Sequence, residues 1–151
     1  MQADPQPVME DEKIPRIVLE VGFDFRYDKS KLWQLDVPAT RMGIEELVWH
    51  LDVPFLRDSR GFKSIRPIDV MNDPLAYEAQ YRRVEAASLC YPIDIMRNKG
   101  RWLIMDGLHR LMKSSMIGEY EVDVRRIPCD MIPYILKEGA GYEACKGDLS
   151  E

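Results

Sequence analysis

The stretch PIDIMRNKGRWLIMDGLHRLMKSSMIGEYEVDVRRI, residues Pro92–Ile127, changes period twice, and those changes decide the fold. Pro92–Met96 and Trp102–Met105 are short apolar runs separated by Asn98-Lys99-Gly100, a composition that predicts a hairpin turn. Leu108, Leu111, Met112, Ser115 and Met116 then recur at i, i+3, i+4, i+7 and i+8. This spacing predicts a helix that Gly118 stops. Beyond it Tyr120, Val122 and Val124 alternate with Glu121, Asp123 and Arg125, predicting a strand with the first set inward. Strand, turn, strand, helix and strand in this order predict an α+β (α/β mixed) fold, a small mixed sheet with packed helices.

Outside this unit the patterns are shorter. IPRIVLEV (Ile14–Val21) and IRPIDVM (Ile65–Met71) read as extended segments, and KLWQLDV (Lys31–Val37) as a strand with Trp33, Leu35 and Val37 inward. GIEELVWHL (Gly43–Leu51) predicts a short amphipathic helix, and Asp52–Ser64 a polar loop. Asp73 and Pro74 are suited to open a helix in which Tyr77, Tyr81 and Val84 share a face. A last short helix is expected near Met131–Gly139. The polar, Pro-containing residues 1–13 read as a disordered leader, 14–140 as a single domain, and 141–151 as a tail.

Several functions are argued against by the totals. A net charge of −5 over 151 residues opposes non-specific coating of nucleic acid. Cys90, Cys129 and Cys145 are widely spaced and odd in number, which reads as reduced thiols in a cytoplasmic protein. No apolar run reaches the ~18 residues of a membrane span. His50 and His109, the only histidines, have no zinc-ligand spacing with the cysteines, and His50, without partners nearby in the sequence, reads as structural or solvent-facing.

In the segment DGLHR, Leu108 belongs to the core stripe, and Asp106, Gly107, His109 and Arg110 are what core packing does not require. The strand ends at Met105, and a helix opens with unmatched N–H groups and a positive dipole end. Gly107 permits close approach of a ligand to the backbone. His109 and Arg110 add donors for phosphate or carboxylate oxygens, and Lys113 lies one turn on. Charge agrees: Arg82–Arg126 holds nine basic and six acidic residues, a net +3, whereas the remaining twelve basic and twenty acidic residues give −8. The pattern alone also allows a plainer reading, with Asp106 as a helix cap, Gly107 as a turn residue and Arg110 as a surface residue.

The order and spacing of Tyr91–Pro128, with DGLHR at the helix start, resemble the ParB/sulfiredoxin-like superfamily. That resemblance implies nucleotide phosphates at this turn. In the superfamily, ParB proteins use a Gly-x-Arg-Arg motif with CTP, sulfiredoxins a Gly-Cys-His-Arg motif with ATP, and free-serine kinases an Asp-Gly-His-Thr-Arg motif. Carried over, it implies Gly107, His109 and Arg110 as phosphate-binding residues, which Lys113 joins by its helical spacing, and Asp106 and His109 as catalytic. Asp106 would also hold Mg²⁺ accompanying ATP or CTP. A second catalytic carboxylate would be Asp69 or Asp94. Leu108 stands where sulfiredoxin has its reactive cysteine, so sulfinic acid reduction is not implied. No helix-turn-helix pattern follows, so operator binding is not expected. The function implied is a nucleotide-binding NTPase or phosphotransferase acting on a small molecule. The alternative is a non-catalytic nucleotide-binding or DNA-associated interaction module.

Overall fold

A computed structural model of the chain describes residues 13–138. The residues read as leader, all but Lys13, and the tail lie outside that range, as does Cys145. In chain order the elements are helices α1 (Arg16–Val21) and α2 (Lys29–Trp33), strand β1 (Ala39–Gly43), and 3₁₀ turns at Ile44–Glu46 and Val48–Asp52. Strands β2 (Leu56–Arg57) and β3 (Lys63–Ile65) and helices α3 (Pro67–Asn72) and α4 (Glu78–Ala86) come next. The chain then forms β4 (Ile93–Asn98), β5 (Arg101–Asp106), α5 (Leu108–Met116) and β6 (Glu121–Arg126), and ends in α6 (Ile132–Ile135).

The main sheet has the order β1-β6-β4-β5 and is mixed: β4 runs parallel to β6, and the other neighbours are antiparallel. The architecture is therefore α+β, as the period changes predict. Lys99 at φ 51° and Gly100 at φ 85° turn β4 into β5, the left-handed pair of a tight hairpin. The central strand β4 is buried from Ile93 to Met96, because helices cover both faces. On one face Ile93, Ile95, Val122 and Val124 pack against α3, α4, α5 and the 3₁₀ turns. On the other, Met96 and Met105 pack against Leu32 of α2 and Ile132 and Ile135 of α6.

β5 is the edge strand, and His50 closes its open side. The Ile104 N–H donates to His50 Nε2 at 3.0 Å, so Nδ1 carries the proton and donates to Leu47 O at 2.7 Å. Both ring nitrogens are used inside the core, so of the two readings of His50 the structural one holds and the solvent-facing one does not, and burial pushes the imidazole down to about 4.

The N-terminal half departs from the sequence expectations. Ile14–Val21 contains helix α1 rather than a strand. Lys31–Val37 is not a strand: the Asp28 carboxylate accepts from Lys31 N at 3.1 Å and starts α2. That turn inverts the expected facing, with Leu32 fully buried and Trp33 58% exposed. Ile65–Met71 becomes mostly α3, because Pro67 suits a first helical turn and Asp69 caps it through Arg66. The expected loop carries the β2–β3 hairpin, and β1 answers no predicted strand. Gly43–Leu51 coils as two 3₁₀ turns rather than one α-helix. The Asp73 carboxylate caps a turn at Ala76, so α4 starts only at Glu78. In the second half three side chains depart from the expected facing: Tyr120, expected inward, is 87% exposed, Met116 is 40% exposed at the end of α5, and Arg125, expected outward, has a side chain only 12% exposed.

Candidate functional site

The ladder between β4 and β5 slips at its end. Ile95 faces Ile104 but Asp94 faces Asp106, so Met105 is the extra residue of a bulge. Past the bulge, Asp106 meets α2. Its Oδ2 accepts from Trp33 Nε1 at 2.8 Å and lies 3.5 Å from Arg110 Nη2, while Oδ1 lies 3.4 Å from Lys29 Nζ. Asp106 is thus an ion-pair centre between two cations and does not cap α5. Gly107 follows at φ 115°, and a Cβ there would stand 3.2 Å from the Ile93 Cα, so both conformation and space require glycine. Helix α5 then opens with no side-chain cap and no acid in its first turn.

This helix start forms one wall of a cleft of about 820 Å³ between β5, α4 and the β2–β3 hairpin. Lys29, Arg57, Lys63, Arg83 and Arg110 reach its lining, and among the described residues Asp106 is the only carboxylate there. Aromatic walls come from Tyr27, Phe55 and Tyr91. Tyr27 donates its hydroxyl proton to Met105 O at 2.5 Å, and burial together with Asp106 and Asp94 pushes its phenol far up. Arg110 is held in place: Nη1 donates to Pro92 O at 2.8 Å, and its guanidinium lies 5.7 Å from the centroid of the Tyr91 ring.

His109 is held by α4. Gln80 Nε2 donates to Arg57 O at 3.1 Å, which leaves Gln80 Oε1 to accept from His109 Nε2 at 2.8 Å. A carbonyl can only accept, so the chain of bonds sets both the Gln80 orientation and the His109 tautomer. Burial, then the Arg83 and Lys29 cations, pushes His109 down to about 4. At neutral pH it lines the cleft as an uncharged ring and not as a cation.

The expected residues divide. Asp106, Gly107, His109 and Arg110 meet at the cleft. Lys113 does not line it: Nζ donates to Glu85 O at 2.9 Å and Ala87 O at 2.8 Å, closing the C-terminal end of α4. Asp69 caps α3 and is not in the lining. Asp94 is buried against Arg125, with Oδ1 accepting from Nε at 2.6 Å, and Arg125 also donates to Leu32 O and Leu35 O. Neither candidate second carboxylate therefore faces the cleft. Asp106 is the one predicted metal-holding carboxylate that lies at the cleft. The Asp106 oxygens already face Lys29, Trp33 and Arg110, and no group of three or more metal-ligating side chains exists among the described residues.

Sequence reading missed Lys29, Arg57, Lys63, Gln80 and Arg83. Gln80 and Arg83 are three apart on α4, so their shared face was available as a signal. The others come from elements misread as strand or loop. No protein-family model, curated protein or solved structure matches the chain. Among the described residues, no helix is long and apolar enough to cross a membrane.

Proposed function

We propose that the cleft binds the phosphates of a nucleotide or a similar phosphate ester. One observation carries this reading: five cationic side chains and an uncapped helix start converge on a cleft with one carboxylate. Such a cleft focuses positive potential on an anion in an otherwise acidic chain. Its volume lies in the range of about 300–1,000 Å³ usual for small-ligand sites, and Tyr91 and Phe55 offer ring faces for a base. The enzyme form of the proposal is an NTPase or a phosphotransferase acting on a small molecule. The binding form is a nucleotide-dependent module. A cytoplasmic setting belongs to the same proposal, and the free thiol of Cys90 supports it.

Thermal melting with ATP, ADP, CTP, GTP and pyrophosphate, each with and without Mg²⁺, tests binding. A ligand at about 100 times its dissociation constant adds roughly 2.7 kcal/mol, a shift of several degrees. Arg83→Ala and Lys29→Ala should reduce the shift. If no phosphate compound raises the melting temperature, the proposal fails. Phosphate release that disappears in Asp106→Asn would support the enzyme form, and binding without turnover the module.

A further inference from the structure

We infer that His109 Nδ1 accepts a hydrogen bond from a hydroxyl of the bound phosphate ester. The ligand class is then a hydroxyl-bearing ester, a sugar phosphate or nucleotide, rather than inorganic phosphate or pyrophosphate. This rests on the phosphate reading of the cleft and adds the second recognition element. In a cavity lined by cations, almost every protein group is a donor. His109 is different, because Gln80 takes the Nε2 proton and leaves the other ring nitrogen with only a lone pair. No described residue hydrogen-bonds to Nδ1. Gln80 is itself 9% exposed and tied to the backbone of β2, so the ring is held from behind by a rigid element. With the ring staying neutral through the physiological range, Nδ1 remains an acceptor and cannot serve as another anion donor. Phosphate oxygens would repel it, whereas a hydroxyl beside the phosphate satisfies it.

Calorimetry with methyl phosphate and ribose 5-phosphate separates the two elements, since both carry one phosphate and only the second carries hydroxyls. The wild-type protein should prefer ribose 5-phosphate by roughly three- to tenfold, the worth of one net hydrogen bond. In His109→Phe the ratio of the two affinities should fall to about one. If the variant keeps the preference, or the wild type has none, the inference is overturned and the phosphate reading stands. If neither compound binds the wild type, the inference is overturned, and the phosphate reading falls with it when ATP, CTP and pyrophosphate also leave the melting temperature unmoved. Nitrogen-15 NMR of the wild type decides the matter even where the variant fails to fold. The expected spectrum has a proton on Nε2 and a bare Nδ1 whose resonance moves with ribose 5-phosphate and not with methyl phosphate. A proton on Nδ1 would refute the inference.

Discussion

Lowering the pH from 7.5 to 5 should destabilise the fold through His50. The folded imidazole sits at about 4 against an ordinary 6.5, because it is buried and Nε2 must stay unprotonated to accept from Ile104. A folded value below the unfolded one means the unfolded chain binds the proton first. Stability is then complete above 6.5 and is lost as pH falls toward 4. Linkage over this interval amounts to about 2 kcal/mol at pH 5. For a chain of this length that is a fall in melting temperature of roughly 6 °C. His109 acts in the same direction but is half-buried, so its share is smaller. Urea denaturation of His109→Phe at the two pH values isolates His50, and with two histidines in the chain the NMR titration has only one imidazole left. A His50 resonance titrating between pH 6 and 7 in the folded state would refute the argument. So would a urea midpoint equal at both pH values.

Three further outcomes follow from the geometry. Gly107→Ala forces a side chain into a left-handed backbone and against Ile93 Cα; it should cost about 1–3 kcal/mol in urea melts. Because the new Cβ also meets Arg110 Nη1 at 3.2 Å, pyrophosphate affinity should fall as well. Arg125→Ala leaves the Asp94 carboxylate buried without its cation and should cost about 3–5 kcal/mol, whereas the paired Asp94→Leu, Arg125→Met replacement should recover much of that. Lys113→Ala should leave pyrophosphate affinity unchanged while removing about 1 kcal/mol of stability by calorimetric melting, since Lys113 serves the carbonyl end of α4.

The unit from Pro92 to Ile127 was legible because its periods are enforced by local chemistry. A left-handed Lys99-Gly100 turn, a strict 3.6-residue stripe through Leu111 and Met112, and alternating Val122 and Val124 each admit one regular structure. The same stretch marked Asp106, Gly107, His109 and Arg110 as the residues packing did not need. The segments Ile14–Val21, Lys31–Val37 and Ile65–Met71 were too short for period alone to separate helix from strand. Capping chemistry at Asp28 and Asp69 decided the second and third, whereas α1 has no side-chain cap.

What the local pattern could not contain was the company each side chain keeps. Arg125 sits beside Arg126 in a pair that looks solvated, yet its side chain is 12% exposed and binds Asp94 across the sheet. Lys113 follows the DGLHR segment by one turn but points to α4. Lys29, Arg57, Lys63, Gln80 and Arg83 come from four separate elements or their edges and reach the cleft only because the hairpin and α4 fold over the end of β5. Periodicity reports which face of an element is apolar, and that is a local property. Which charges converge, and which histidine nitrogen is left bare, depends on contacts across 29 positions of chain from Gln80 to His109 and 73 from Trp33 to Asp106. Those distances are closed by tertiary packing, so the motif was readable in the linear chain and the cationic cleft around it was not.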